Sequence, residues 1–173
     1  MKTQVHKINR FIQFAILSFT LLFAASSFAG SGKYHKPKDI VTIAASVDSF
    51  TTLVAALQAA GLVDTLQGDG PFTVLAPTND AFAELPEQTL QNLLEPENRE
   101  KLTEILTYHV IPGKVKAKDV KQLVSAQTVQ GEKVMVTSNH GQLFIDNAQV
   151  LQADINASNG VIHVIDKVIL PRG

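Results

Sequence analysis

The side chains able to do chemistry are few in this chain, and their spacing defines no reaction centre. There is no cysteine, which removes disulfides, thiolate metal sites and a thiol nucleophile at once. Of the five histidines, His6 and His35 lie near the N-terminus. His109, His140 and His163 stand too far apart for spacing to define a ligand set, whereas zinc needs three or four converging donors. Asp80 and Glu84 at i, i+4 share one helix face, which suits acid/base work or, more simply, a solvated acidic first turn. Neither a Gly-x-Ser-x-Gly elbow, a phosphate-binding glycine loop nor a His-Glu-x-x-His pair occurs in the sequence. Fifteen Lys and Arg against sixteen Asp and Glu, with no Trp and two Tyr, provide neither a cationic footprint nor a stacking platform for nucleic acid. The expectation is a protein without catalytic residues, cofactor or metal.

The elements that carry these residues begin after residue 29. Lys2, Lys7 and Arg10 precede an apolar stretch from Phe11 to Ala25, and Ser27 and Ala29 occupy the places where a secretory signal peptide is cut, so cleavage is expected after Ala29. The stretch is shorter than the roughly 20 apolar residues that cross a bilayer. Without its three basic residues the remaining chain carries 12 basic and 16 acidic groups, a net charge of −4. Residues 30–38 read as a polar linker, and a single domain is expected over 39–171.

Within that domain Phe50, Leu53, Val54 and Leu57 fall at helical spacing, with Asp48 or Ser49 to cap the start and Gly61 to end it. Residues 72–76 suit a strand buried on both faces. Pro77 ends it, and Thr78 or Asn79 can cap a following helix whose first turn holds Asp80. A third helix from Asn98 places Leu102, Ile105, Leu106 and Val110 on one stripe. His109 shares that stripe and is predicted buried and hydrogen-bonded. Tyr108, about 100° further round, is predicted at the stripe's margin with its hydroxyl in water. From Lys114 to Lys118 lysines alternate with Val115 and Ala117, which predicts an exposed strand. Its lysines, with Lys121, either block edge pairing or attract anionic lipid or polysaccharide. Strands are expected at 133–137 and 142–145 around a hairpin turn, then at 148–151 and 161–170 about a loop over 156–160. His163 is predicted as a hydrogen-bonded structural imidazole near the sheet margin, and Asp154, in a polar stretch, as solvated. Asn156-Ala157-Ser158 matches a glycosylation acceptor. Helices first and strands later describe an α+β domain.

Two segments, Thr73-Val-Leu-Ala-Pro-Thr-Asn-Asp-Ala-Phe82 and Asn159-Gly-Val-Ile-His-Val-Ile-Asp-Lys-Val-Ile-Leu-Pro171, resemble the paired signature blocks of the fasciclin-like domain. Tyr108-His109 is similar to that family's Tyr-His motif, and Asp154-Ile155 resembles a dipeptide implicated in adhesion in animal members. The resemblance spans residues 39–171 and is nearest to the small secreted single-domain bacterial members. It implies a wedge of two β-sheets with helices packed on one side, no catalytic residues, and adhesion or protein interaction outside the cell. On that basis Tyr108, His109, Asp154 and Ile155 are candidate contact residues. Thr73, Pro77, Thr78, Asn79, Asp80, Phe82, Gly160 and His163 are structural motif positions. No Arg-Gly-Asp is present, so integrin binding is not implied. The expected function is a non-catalytic exported module that binds a protein or surface polymer, periplasmic or fully extracellular, with no stable membrane anchor. The alternative is a carrier of an apolar small molecule, a carotenoid or lipid, held between sheet and helices.

Overall fold

The computed structural model describes residues 37–172. The expected signal peptide and most of the linker lie outside the described residues.

Three short helices open the domain. The first, α1 (Ile40–Ala45), is N-capped by Asp39, whose carboxylate accepts from the Thr42 N–H at 2.7 Å. Its run Ile-Val-Thr-Ile-Ala-Ala has no clear period, so nothing in the pattern marked it as helical. A 3₁₀ turn over Asp48–Phe50 leads into α2 (Thr51–Ala60), which ends as expected at Gly61 in the left-handed conformation, φ 73°. Neither Asp48 nor Ser49 caps this helix. Phe50 holds the cap position and has no side-chain bond to give, so the start of α2 is satisfied from elsewhere in the fold. Then α3 (Val63–Gln67) turns the chain toward the sheet.

The first strand is β1 (Phe72–Pro77), followed by α4 (Asn79–Ala83), α5 (Glu87–Leu94), α6 (Arg99–Tyr108), β2 (Val110–Pro112) and α7 (Ala117–Val120). The remainder is β3 (Ser125–Gln127), β4 (Lys133–Asn139), β5 (Gln142–Ile145), β6 (Ala148–Ala157) and β7 (Gly160–Ile165). Seven strands pair in the order β2-β1-β7-β6-β5-β4-β3, with β1 and β7 parallel and every other pair antiparallel. The two signature blocks thus lie side by side, Thr73 opposite Val161 and Leu75 opposite His163.

Alternate residues of this pair feed two cores. Val74, Ala76, Ile162 and Val164 face the helices and pack with Phe50, Leu53, Leu57, Phe82, Leu102 and Leu106. Leu75 and Ile165 face the other way, into a second core with Tyr108, Ile111, Val134, Ile145 and Ile169. That second core exists because the sheet folds back on itself. Register shifts at Val150/Gln152 and Gln152/Ile155 bend β6, and beyond the far ends of the sheet the Val129 N–H reaches the Val110 carbonyl at 2.7 Å. The result is an α+β wedge, its two sheet halves closed on a core and its helices packed on one outer face. Each fully buried Leu, Ile or Val contributes roughly 1.5–3 kcal/mol, so the doubly covered β1 and β7 are the most heavily supported strands.

Four expected elements differ. Val110, expected on the stripe of the third helix, lies in β2, because α6 ends at Tyr108 with His109 as its cap. Residues 114–118 form no strand, because the Val115 N–H and C=O bond to the side chains of Thr73 and His163 instead of to a neighbouring backbone. The chain runs irregularly to Lys116 and then makes the single turn of α7. The last strand stops at Ile165, not Leu170. In compensation β6 extends to Ala157, and the expected 156–160 loop shrinks to a two-residue turn at Ser158 and Asn159.

Gly160 sits at the tightest point of the central pair. A β-carbon there would press against the Phe72 carbonyl oxygen and approach Ile40 Cδ1 to 2.8 Å. Because the opposing atom is backbone, Gly160→Ala is expected to destabilise the fold by about 3 kcal/mol in urea unfolding. An unchanged midpoint would show that β1 and β7 do not approach this closely.

Candidate functional site

The Tyr108-His109 pair closes α6. The His109 ring is buried; its Nδ1–H donates to the Ile105 carbonyl at 2.8 Å, and Nε2 accepts from the Ile169 N–H at 3.2 Å. These partners assign the neutral Nδ1–H tautomer. Burial, opposed by the Ile105 bond, lowers the pKa to about 4. The imidazole therefore staples the end of α6 to the segment after β7, the buried and hydrogen-bonded role expected of it.

Tyr108 differs from expectation. It is not at a wet margin but fully buried, at 0% exposure. Turning 100° from the helical stripe carries the ring into the second core, since α6 is gripped by both cores. Its hydroxyl donates to Asp146 Oδ2 at 2.8 Å. Burial first, and then the bond to Asp146, push the phenol well above its usual range. Asp146 occupies the β5–β6 turn at φ 53°, and its Oδ1 accepts from the Met135 N–H at 2.8 Å. Asp146 belongs to no recognisable motif; the Asp-Asn pair between two strands is its only signal in the sequence.

Thr73, His163 and Asp154 converge on one segment, residues 113–117. Thr73 Oγ1 donates to the Gly113 carbonyl at 2.6 Å and accepts from the Val115 N–H at 2.9 Å. His163 Nε2–H donates to the Val115 carbonyl at 2.9 Å, while Nδ1 accepts from the Asp154 N–H at 3.2 Å. The Asp154 carboxylate in turn accepts from the Ala117 N–H at 2.9 Å. His163 is hydrogen-bonded as expected, yet it lies on a central strand at 0% exposure, not at a margin. Asp154 is half-buried, with φ 61° at the β6 irregularity, where a solvated carboxylate was expected. Ile155 is half-buried against the first core.

The remaining motif residues finish helix ends. Thr78 Oγ1 accepts from the Ala81 N–H at 3.2 Å and caps α4, while Asp80 is exposed in its first turn. Asn79 caps a different helix: its Oδ1 accepts from the Thr52 N–H at 3.0 Å and its Nδ2 donates to the Asp48 carbonyl at 2.8 Å, supplying what α2 lacked. Asn159 serves two more, accepting from the Ile40 N–H at 3.0 Å and donating to the Leu66 carbonyl at 2.7 Å. Pro77 ends β1 buried, and Phe82 fills the first core. Glu84 does not form a carboxylate pair with Asp80 but bonds Lys167 at 2.7 Å on the surface, a contact worth little to stability. Among the described residues no buried side-chain N or O lacks a partner, and no three His, Asp or Glu converge as metal ligands.

The motif positions thus define a scaffold domain, whose polar residues knit elements together. The family model of the Fasciclin domain matches residues 48–171, and the chain belongs to that family. It is 54% identical over 132 residues to Protein sll1483 of Synechocystis sp., spanning 76% of this chain and 73% of that one. It is 41% identical over 122 residues to transforming growth factor-beta-induced protein ig-h3 of Sus scrofa, covering 70% of this chain but only 18% of that protein. A solved FAS1 domain pair from the insect cell adhesion molecule Fasciclin I shares the fold, with a TM-score of 0.55 and 23% identity over 68% of this chain and 43% of that one.

Two substitutions check these roles. The folded chain excludes a proton from His109, whereas the unfolded chain takes one up below its ordinary pKa of 6.5. Stability is therefore full above about pH 6.5, and the loss grows to about 3 kcal/mol as pH falls to about 4. His109→Gln should be less stable at neutral pH yet show a shallower decline between pH 6.5 and 4 in urea titrations; parallel curves would refute a buried neutral imidazole. Tyr108→Phe, which strips a donor from Asp146, should cost about 1.5–3 kcal/mol. A melting temperature equal to the parent's would return the hydroxyl to water.

Proposed function

We propose that this chain is an exported, non-catalytic module that binds another protein or a surface polymer through its outer surface. One observation carries this reading: Thr73, Asn79, His109, Asn159 and His163 all spend polar atoms on backbone groups of other elements or segments, His109 also on its own helix. Side chains committed in this way have no free donor, acceptor or base to offer a substrate. Family membership agrees with it, and adhesion is the stated role of the insect protein that shares the fold. Tyr108 and His109 then serve binding by holding the wedge closed. Asp154 and Ile155, half-buried, are the two candidate contact residues a partner can still touch. Among the described residues no helix is long and apolar enough to cross a membrane.

The space between helices and sheet, where an apolar ligand was considered, is filled by Phe50, Leu53, Leu57, Phe82 and Leu106. A groove of about 350 Å³ between α5 and α6, lined by Leu85, Leu93, Ile105 and Lys101, opens to solvent. Protein recovered from its own source should therefore run in native mass spectrometry at the mass of the polypeptide alone, with no pigment or lipid in a solvent extract. A stoichiometric extracted ligand would favour the carrier. Turnover in a hydrolase panel that vanished on a single polar substitution would overturn the non-catalytic reading.

A further inference from the structure

Lys114, Lys116, Lys118 and Lys121 do not guard a sheet edge, because their segment is not a strand. They stand on a piece of chain fixed at three points. Its start is clasped by Thr73, His163 and Asp154. Val120 anchors its middle at 1% exposure, and at its end the Val136 N–H donates to the Val124 carbonyl at 2.9 Å. All four lysine side chains are exposed, and none is ion-paired among the described residues. Asp119 is the single acidic side chain interspersed with them. One residue beyond the last lysine come Leu123 and Val124, at 40% and 73% exposure; Val124 is the most exposed large aliphatic among the described residues. A solvated lysine ridge has no need of bare aliphatics beside it, and a soluble anionic polymer has no use for them. A bilayer surface uses both: cations for anionic headgroups and short aliphatic side chains for the interface beneath them.

We propose that residues 114–124 form a docking surface for an anionic lipid membrane, engaged peripherally and reversibly. Preorganisation strengthens the fit, because the backbone carrying the six side chains is already held and binding need not order it. Each lysine near an anionic leaflet raises partitioning about fivefold, and salt screens that gain over a Debye length. The net charge of −4 expected for the exported chain works against binding to an anionic leaflet, so attraction must come from the local density of lysines on this segment.

The test is flotation of the exported protein, its N-terminus first read by mass spectrometry, with vesicles of phosphatidylcholine containing about 30% phosphatidylglycerol. Binding should be absent on pure phosphatidylcholine and reduced by salt. Joint replacement of the four lysines by Gln should weaken it by roughly 600-fold at low salt. Leu123→Gln with Val124→Gln should weaken it about tenfold and abolish whatever binding survives high salt. All six changes are at exposed positions, so circular dichroism should show the parent's melting curve. Equal binding to neutral vesicles, indifference to the lysine replacements, or retention on polygalacturonate without vesicle binding would each overturn the proposal.

Discussion

Everything in this domain hangs on the parallel alignment of residues 72–77 with 160–165. These two strands are distant in sequence and buried on both faces, so without their pairing neither core has a wall to pack against. Gly160 permits the close approach. The alternation of their side chains then divides the molecule: one set of apolar residues receives the helices, and the other receives the folded-over half of the sheet.

The polar residues around that pair solve a different problem. Short helices leave a large share of their backbone groups without intrahelical partners, since four N–H and four C=O groups are orphaned at each helix regardless of its length. Here the missing partners come from across the fold. Asn79 and Asn159 complete helix ends 27 and 119 residues away, and the Arg99 Nε–H donates to the Ala60 carbonyl at the end of α2. Each such bond requires two remote elements to be in place together, which makes assembly of the small helices cooperative with formation of the sheet.

That dependence on distance explains what could be read from sequence. His109 was legible because its burial follows from a local stripe, Leu102, Ile105 and Leu106, and the Thr78 cap because donor and acceptor are three residues apart. The α+β class followed from helical and strand periods, whereas the wedge was implied only by the resemblance carried by the two signature blocks. Tyr108 was misplaced because a helical projection assumes one packing surface, and α6 has two. The 114–118 segment was misread because Lys-Val-Lys-Ala-Lys alternates like a strand, while the groups that prevent pairing, Thr73 and His163, lie more than 40 residues away. Asn79 was seen as a cap for its own helix; no local pattern marks it as the cap of another.

The two ends of the domain are held at opposite ends of the same strand. On one side Ser158, in the turn just past β6, donates its N–H to the Lys38 carbonyl. On the other, Arg172 bonds Glu132 and lies 3.9 Å from Asp146, just before β6 begins. Ten residues of strand separate these points, at most roughly 30 Å at about 3.3 Å per residue and less here because β6 bends. Tension applied through the ends thus acts between the two extremities of β6, where its hydrogen bonds to β5 and β7 take part of the load side by side in shear. Peeling, which breaks such bonds one at a time, would need a pull across the strand, so the geometry favours bearing load along the chain.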